Sequence, residues 1–470
     1  MFCGINGIRL ECPKFLRRTL YMLEAIKDQN PWWTDPSWTF EGVERNVFKF
    51  VGANKDDISV LLIKGPVCSG KTFLLKQFVH YLIKQNTRPE SILYFNLNEK
   101  AAVELLNKGY QFVSFLKDKT KNTEGKVYLL FDEIQELPDD DVIQMLASHI
   151  RFKIIMVSSY QSDIVKKISQ SLLGRTTTFY MFPFSFREYL FTKTKNPDIL
   201  QKLHSLEALM RFLIIDPEDT FPQLKEFYSR NQAVFDFIEK HFLEYAVYGG
   251  YPQVIFRKAG SNVFDSVFNI IKKCLESVPK SGNRIQPDIQ LYVGILERIA
   301  KEELSEPDYD AGELQSGLTN AHLIMPIRAF NPDREMRSLM PVRFVLTDHG
   351  MRNVLCGYKA IQEPVGQTIE LLKNLMVTQL SKFLYFDEMK SKDLYYLFNA
   401  GHSYYRYVFC DALDNVYPIG FVPDEDLKKN IKQTESEFPY GILFTTGEFK
   451  ILASRKKRVF LLPYLFLAGI

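Results

Sequence analysis

Cysteine is sparse and scattered in this 470-residue chain: Cys3, Cys12, Cys68, Cys274, Cys356 and Cys410 form no C-x-x-C pair. That spacing excludes a small disulfide scaffold and a thiolate zinc site, and it reads as six reduced, mostly buried thiols. The seven histidines are equally dispersed and form no H-E-x-x-H, which excludes helix-borne metalloprotease chemistry. Charge imbalance is also missing. The net charge is only +3, too little to mark a nucleic-acid binder without a concentrated basic face. No apolar run approaches the ~20 residues of a spanning helix. The longest, Val459 to Ile470, is interrupted by Pro463 and comes after Arg455-Lys456-Lys457-Arg458. It reads as a buried strand after a charged turn rather than a membrane-surface anchor. Met1 to Lys14 has polar breaks and no apolar core of a secretory signal. The expectation is a cytoplasmic protein with no membrane partner.

Core-forming residues, by contrast, are plentiful. Hydrophobic residues make up 46% and aromatic residues 14%, although only three are Trp. At this length two to four domains are expected. A lead-in, 1–52, carries Pro31-Trp32-Trp33-Thr34-Asp35-Pro36-Ser37-Trp38. Its prolines forbid a regular helix and predict a loop packed on the neighbouring domain. Residues 53–190 alternate β-rich segments (Ile58–Lys64, Ser91–Leu97, Val127–Phe131, Lys153–Ser158, Thr177–Phe182) with helical patterns such as Lys71–Gln85 and Val142–His149. That alternation predicts an α/β fold with a parallel sheet covered on both faces. A helical run fills 191–262 until Gly249-Gly250-Tyr251-Pro252. Residues 263–358 mix helices with a strand pair, Leu323–Ala329 and Val342–Leu346, and 359–470 open with a helix near Gly366 followed by strands.

Gly65-Pro66-Val67-Cys68-Ser69-Gly70-Lys71-Thr72 satisfies every fixed position of G-x-x-x-x-G-K-[ST], between a predicted strand and a predicted helix. Glycines let backbone N–H groups turn toward phosphate oxygens, and the next helix presents its positive end to the same anion. In that chemistry Lys71 reaches the β- and γ-phosphates and Thr72 offers its hydroxyl to Mg²⁺. Phe73 comes directly after and is included among the nucleotide-binding candidates. Tyr128-Leu129-Leu130-Phe131-Asp132-Glu133 is an apolar strand ending in two carboxylates. Asp132 suits Mg²⁺ through water, and Glu133 suits polarisation of the attacking water. Ser158 and Ser159 end the fourth strand, where a polar residue can stand between water and γ-phosphate. Arg175 is a candidate for phosphate contact, within the chain or as an arginine finger from a neighbouring subunit; a surface ion pair is the alternative. Asn54-Lys55-Asp56-Asp57 fits a guanine-reading pattern but lies too close before the loop, and no D-x-x-G begins at Asp132. ATP with Mg²⁺, rather than GTP, is the expected ligand.

The order of these motifs resembles the archaeal-type prokaryotic P-loop ATPases of the AAA/STAND-like group. The resemblance rests on Gly65–Thr72, Leu130-Phe131-Asp132-Glu133-Ile134-Gln135, Val157-Ser158-Ser159, Leu173-Gly174-Arg175 and Phe182-Pro183-Phe184-Ser185-Phe186-Arg187-Glu188-Tyr189-Leu190. The last string is the most distinctive, since no generic phosphate loop requires it. Gly249-Gly250-Tyr251-Pro252 continues it, and the similarity covers roughly 40–260. It implies a P-loop NTPase core with helical, winged-helix-like (263–358, with Asp348 and Gly350 near its end) and C-terminal α/β domains. It also implies a nuclease-like C-terminal fold, with Gly366 and Glu370 on its first helix. Arg406-Tyr407-Val408-Phe409 and Pro418-Ile419-Gly420-Phe421-Val422 stand where that fold keeps its acidic strands. Without clustered carboxylates no metal is held, so an inactive domain is expected.

A winged helix invites a DNA-binding reading. Residues 263–358 contain 11 Lys and Arg against 13 Asp and Glu, and the recognition stretch Glu302 to Glu313 is itself acidic. Phosphate neutralisation dominates DNA affinity, so DNA is disfavoured and a protein partner or self-association is expected. Three functions stay open: an ATPase switching its attached domains, an ATP-dependent DNA-binding factor, and a non-hydrolysing ATP-binding scaffold.

Overall fold

Five strands form the first sheet: β1 (Val60–Lys64), β2 (Ile92–Asn96), β3 (Val127–Asp132), β4 (Phe152–Ser158) and β5 (Thr176–Tyr180). The structure is a computed structural model that describes residues 24, 26–35, 37–43, 45–121, 123–257, 262–277, 289–301, 312–357, 365–384, 393–397, 405–410, 414–429, 440–454 and 457–470. Met1 to Lys14 with Cys3 and Cys12, most of Glu302 to Glu313, Arg455-Lys456 and the side chains of Glu370 and Arg406 lie outside them. The chain divides into two units, one of 1–42, 48–63 and 71–177, the other of 43–47, 64–70 and 178–470.

The first sheet runs β2-β3-β4-β1-β5, with β2, β3 and β4 parallel in register. β1, β3 and β4 are buried along their whole length. This explains their continuous apolar runs, since helices cover both faces of a parallel sheet. Phe95 packs between Phe131 (ring centroids 5.3 Å) and Phe112 (5.6 Å). The sequence order thus sets an α/β P-loop core, with Asp132 and Ser158 at the carboxyl ends of neighbouring strands.

The tryptophan-rich lead-in forms one 3₁₀ turn, Pro31–Trp33, and its side chains close the edge of β2. Asn30 exchanges two hydrogen bonds with the Tyr94 backbone, at 2.9 and 2.7 Å. Gln29 accepts from the Asn96 N–H at 2.7 Å, and the indoles of Trp32 and Trp33 donate to the Ile92 carbonyl. An open edge strand offers unpaired backbone groups to any passing chain; here side chains occupy them.

The second unit differs from its sequence reading. Its helices include α1 (Phe186–Lys193), α2 (Pro197–Ile215), α3 (Pro217–Arg230), α4 (Gln232–Tyr248), α5 (Val263–Glu276), α6 (His349–Leu355) and α7 (Val365–Leu384). Its strands are β6 (Ile324–Ala329), β7 (Val342–Leu346), β8 (Asp393–Tyr396), β9 (Tyr405–Cys410), β10 (Val416–Val422), β11 (Tyr440–Thr445), β12 (Lys450–Ser454) and β13 (Lys457–Pro463). All eight join one sheet, β12-β13-β11-β10-β9-β8-β6-β7. The β6–β7 pair expected within a separate 263–358 domain is therefore continuous with the C-terminal strands, through Arg328↔Tyr395 and Ala329↔Tyr396. The helices of 191–262 share their core with this sheet too. Phe221 of α3 lies 5.3 Å from Phe460 of β13, and Phe235 of α4 lies 5.2 Å from Phe466. The apolar Val459–Ile470 segment is accordingly interior: β13 followed by a buried 3₁₀ helix. Truncating Phe466, whose side chain is fully buried, is expected to cost about 3–5 kcal/mol. The urea unfolding midpoint of Phe466→Ala measures it.

Candidate functional site

The loop Gly65–Gly70 leaves the end of β1 and enters the helix Lys71–Lys84 without a break. Two of its residues have left-handed backbone, Cys68 at φ 65° and Gly70 at φ 98°. Gly65 has no room for a side chain: a Cβ there would lie 2.1 Å from the Met181 carbonyl oxygen. Ser69 and Lys71 are buried, while Pro66, Val67 and Cys68 make up the first half of the loop. Phe73 is exposed, its ring 5.0 Å from Phe40.

Asp132 ends β3 in a buried position. Its Oδ2 accepts from the Tyr94 hydroxyl at 2.7 Å, and its Oδ1 is buried with no hydrogen-bond partner. Burial and the neighbouring Glu133 charge push its carboxyl pKa up, against the Tyr94 and Thr72 hydroxyls and the Lys71 ammonium. A buried, unpaired carboxylate oxygen with a threonine hydroxyl beside it offers oxygen ligands of the kind a hard divalent cation takes. Thr72 and Asp132 are the residues that fit it.

Glu133 has left-handed backbone at φ 58°, a conformation that non-glycine residues adopt at a cost. Two side chains hold its carboxylate: Ser159 Oγ donates to Oε1 at 2.8 Å and Gln135 Nε2 donates to Oε2 at 2.6 Å. Gln135 is itself oriented, because its Oε1 accepts from Ser158 Oγ at 2.8 Å and from the Ser159 N–H. The two serines that end β4 thus fix the carboxylate that ends β3. Tyr94 and Gln135 are additions to the expected set. Gln135 stands inside the Asp-Glu-Ile-Gln string, whereas Tyr94 gives no local signal, being one aromatic in a buried strand.

Arg175 does not join this group. Its carbonyl accepts from the Val60 N–H at 2.7 Å, at the amino end of β1, and its guanidinium bonds the Ala147 carbonyl. The strand separates it by about 13 Å from the end where the loop begins. The expected phosphate contact within the chain is corrected accordingly.

The distinctive Phe182–Leu190 string has a structural explanation. Ser185 caps α1, accepting from the Glu188 N–H, and Glu188 Oε2 accepts in return from the Ser185 N–H at 2.8 Å, a reciprocal capping box. The other oxygen, Oε1, takes Arg45 Nε at 2.9 Å and the Asn46 N–H at 2.7 Å. The Phe184 carbonyl accepts from Tyr245 OH at 2.7 Å and Lys382 Nζ at 3.1 Å. Gly250 must be glycine there, since a Cβ would lie 2.1 Å from that carbonyl oxygen. Asp348 caps α6 and accepts from the Gly250 N–H at 2.9 Å. Gly249-Gly250 and Asp348, which the sequence places in separate regions, are one packing arrangement.

A loop between a buried parallel strand and a helix, with a buried carboxylate ending β3 two places along the same sheet, is the arrangement of a P-loop α/β core. Residues 57–190 match the family model described as an AAA domain. An uncharacterized protein of Haemophilus influenzae is 21% identical over 323 residues, 65% of this chain and 71% of that one. An uncharacterized protein of Methanocaldococcus jannaschii is 24% identical over 195 residues, 39% of this chain and 42% of that one. Among solved structures, AMPPCP-bound DnaA from Aquifex aeolicus aligns at 14% identity over 62% of this chain and 98% of its own, with a TM-score of 0.26. Among the described residues no helix is long and apolar enough to cross a membrane.

Proposed function

We propose that this protein binds Mg-ATP at Gly65–Thr72 and hydrolyses it. The observation that carries the reading is the fixed Glu133 carboxylate, clamped by Ser159 and Gln135 one residue beyond the metal-suited Asp132. In this reading the loop N–H groups and Lys71 bind the phosphates, and Thr72 and Asp132 hold the cation. Bound magnesium supplies neutralisation of the charge that develops on the phosphate oxygens. Glu133 orients the attacking water and accepts its proton, and the Ser159 and Gln135 bonds keep that carboxylate from swinging to Asp132 or solvent. Such restraint keeps a water-polarising carboxylate within hydrogen-bond reach of the water it activates. Turnover would act on the attached helical and sheet region through the loop, and a protein partner fits the weak net charge better than DNA does.

Calorimetric titration tests the binding half. ATP is expected to bind one-to-one in magnesium buffer, and chelation of the metal should weaken it at least about tenfold, or about 1.4 kcal/mol. Absence of any nucleotide binding would sink the reading; equal binding with and without metal would remove Thr72 and Asp132 from it.

A further inference from the structure

We propose that Arg45, anchored by Glu188, is a positioning residue for the phosphate loop, a role that rests on the ATP-binding reading of Gly65–Thr72. Arg45 precedes the loop by about twenty residues and belongs to none of the sequence motifs. It is only 5% exposed, and its nitrogens have separate acceptors. Nε donates to Glu188 Oε1 at 2.9 Å, Nη1 to the Ser69 carbonyl at 2.6 Å and Nη2 to the Phe182 carbonyl at 2.6 Å. The guanidinium carbon lies 4.4 Å from the centre of the Phe184 ring. A rigid planar fork with all three nitrogens engaged cannot reorient without breaking several charge-assisted bonds.

The bond to Ser69 matters because of peptide geometry. The chain has no cis peptides among its described residues, and in a trans peptide the C=O and the following N–H point in opposite directions. Holding the Ser69 carbonyl toward Arg45 therefore turns the Gly70 N–H away from it. That N–H belongs to the G-K-T segment, whose backbone donors cradle phosphate in loops of this kind. Gly70 also approaches closely, since a Cβ there would lie 3.2 Å from Arg45 Nη1. Together with φ 98° this leaves glycine as the residue that fits. The Arg45 charge is matched at once by Glu188, so its contribution is orientation rather than added attraction for phosphate.

Glu188 has the matching features. It is buried, and it accepts from the backbone at Asn46 and Ser185 as well as from Arg45. Burial alone would raise its carboxyl pKa, but the Arg45 charge and the two N–H groups outweigh that, and the net shift is downward. Glu188 therefore stays anionic, and it ties the fork to the cap of α1. The Phe182–Leu190 string thus acquires a purpose beyond packing: it supplies both the anion and the Phe182 carbonyl that hold the loop's brace.

The test uses the full chain with Arg45→Met, which keeps the stem and removes the fork, and Glu188→Gln, which keeps the shape and removes the charge. Two measurements are made on each: amide hydrogen exchange of the peptide covering the loop without nucleotide, and ATP and adenosine affinity by titration. Arg45→Met is expected to speed exchange at the loop about tenfold or more and to weaken ATP roughly 10- to 100-fold, as for loss of a charged hydrogen bond. Glu188→Gln should show a smaller change in the same direction, and it carries the test if Arg45→Met fails to fold. Adenosine, which lacks phosphates, should bind each folded variant as it binds wild type. Unchanged loop exchange in a folded variant overturns the proposal, as does an equal loss of ATP and adenosine. If wild type binds no ATP, the functional reading fails by itself, and the exchange comparison still decides whether Arg45 orders the loop.

Discussion

Glu133→Gln is expected to bind ATP with an affinity within about threefold of wild type and to lose turnover by a factor of roughly 10²–10⁴, the contribution typical of a positioned general base. The geometry sets this expectation. The Glu133 carboxylate is engaged by Ser159 and Gln135, at the ends of β3 and β4. Its removal therefore spares the groups proposed to bind phosphate. The amide keeps one acceptor for Ser159 but presents a donor toward the Gln135 amide nitrogen, so the clamp is also loosened. Single-turnover phosphate release against equilibrium binding separates the two effects. Equal losses in binding and turnover would place Glu133 in ground-state binding instead.

Lys71→Ala is expected to act on the other half of the cycle, weakening ATP by at least about tenfold and up to ~100-fold through loss of charge-assisted contacts. It carries a second, pH-dependent consequence. Burial raises the Asp132 pKa, and the Lys71 charge is one of the influences that oppose the rise. A metal-binding carboxylate must be ionised, so activity is lost as pH falls through its pKa. Removing Lys71 lifts that pKa further and moves the acid limb of metal binding to higher pH. Titrating magnesium affinity against pH in wild type and Lys71→Ala checks the sign; a shift to lower pH would mean that Lys71 does not act on Asp132.

Much of the nucleotide half was legible because it is local. The phosphate loop and the Asp132-Glu133 strand end are contiguous strings with fixed spacing, and a buried parallel strand is a short apolar run wherever it occurs. All five expected strands of the first sheet fall within about two residues of the observed ones. The illegible part depends on distant partners. Arg45 and Glu188 are separated by 143 positions, and nothing in the sequence near either predicts the other. The Ser69–Arg45 bond ends on a backbone carbonyl, which leaves no trace in residue type. The C-terminal domains were divided too finely for a related reason. Periodicity identifies β6 as a strand but not its neighbour, and the parallel pairing with β8 crosses the expected boundary at 358. A phosphate contact by Arg175 within the chain was not legible either way, because its position in a motif order does not say which end of a strand it occupies.

Steady-state phosphate release from ATP by the purified full chain tests the central claim most directly, with Lys71→Ala and Glu133→Gln alongside. The account predicts magnesium-dependent, linear release by wild type, which falls in Lys71→Ala at sub-saturating ATP through weakened binding and falls to near background in Glu133→Gln with binding retained. Wild type that binds ATP yet releases no phosphate, at any protein concentration at which it stays soluble, would contradict the hydrolase reading and leave a nucleotide-binding scaffold in its place.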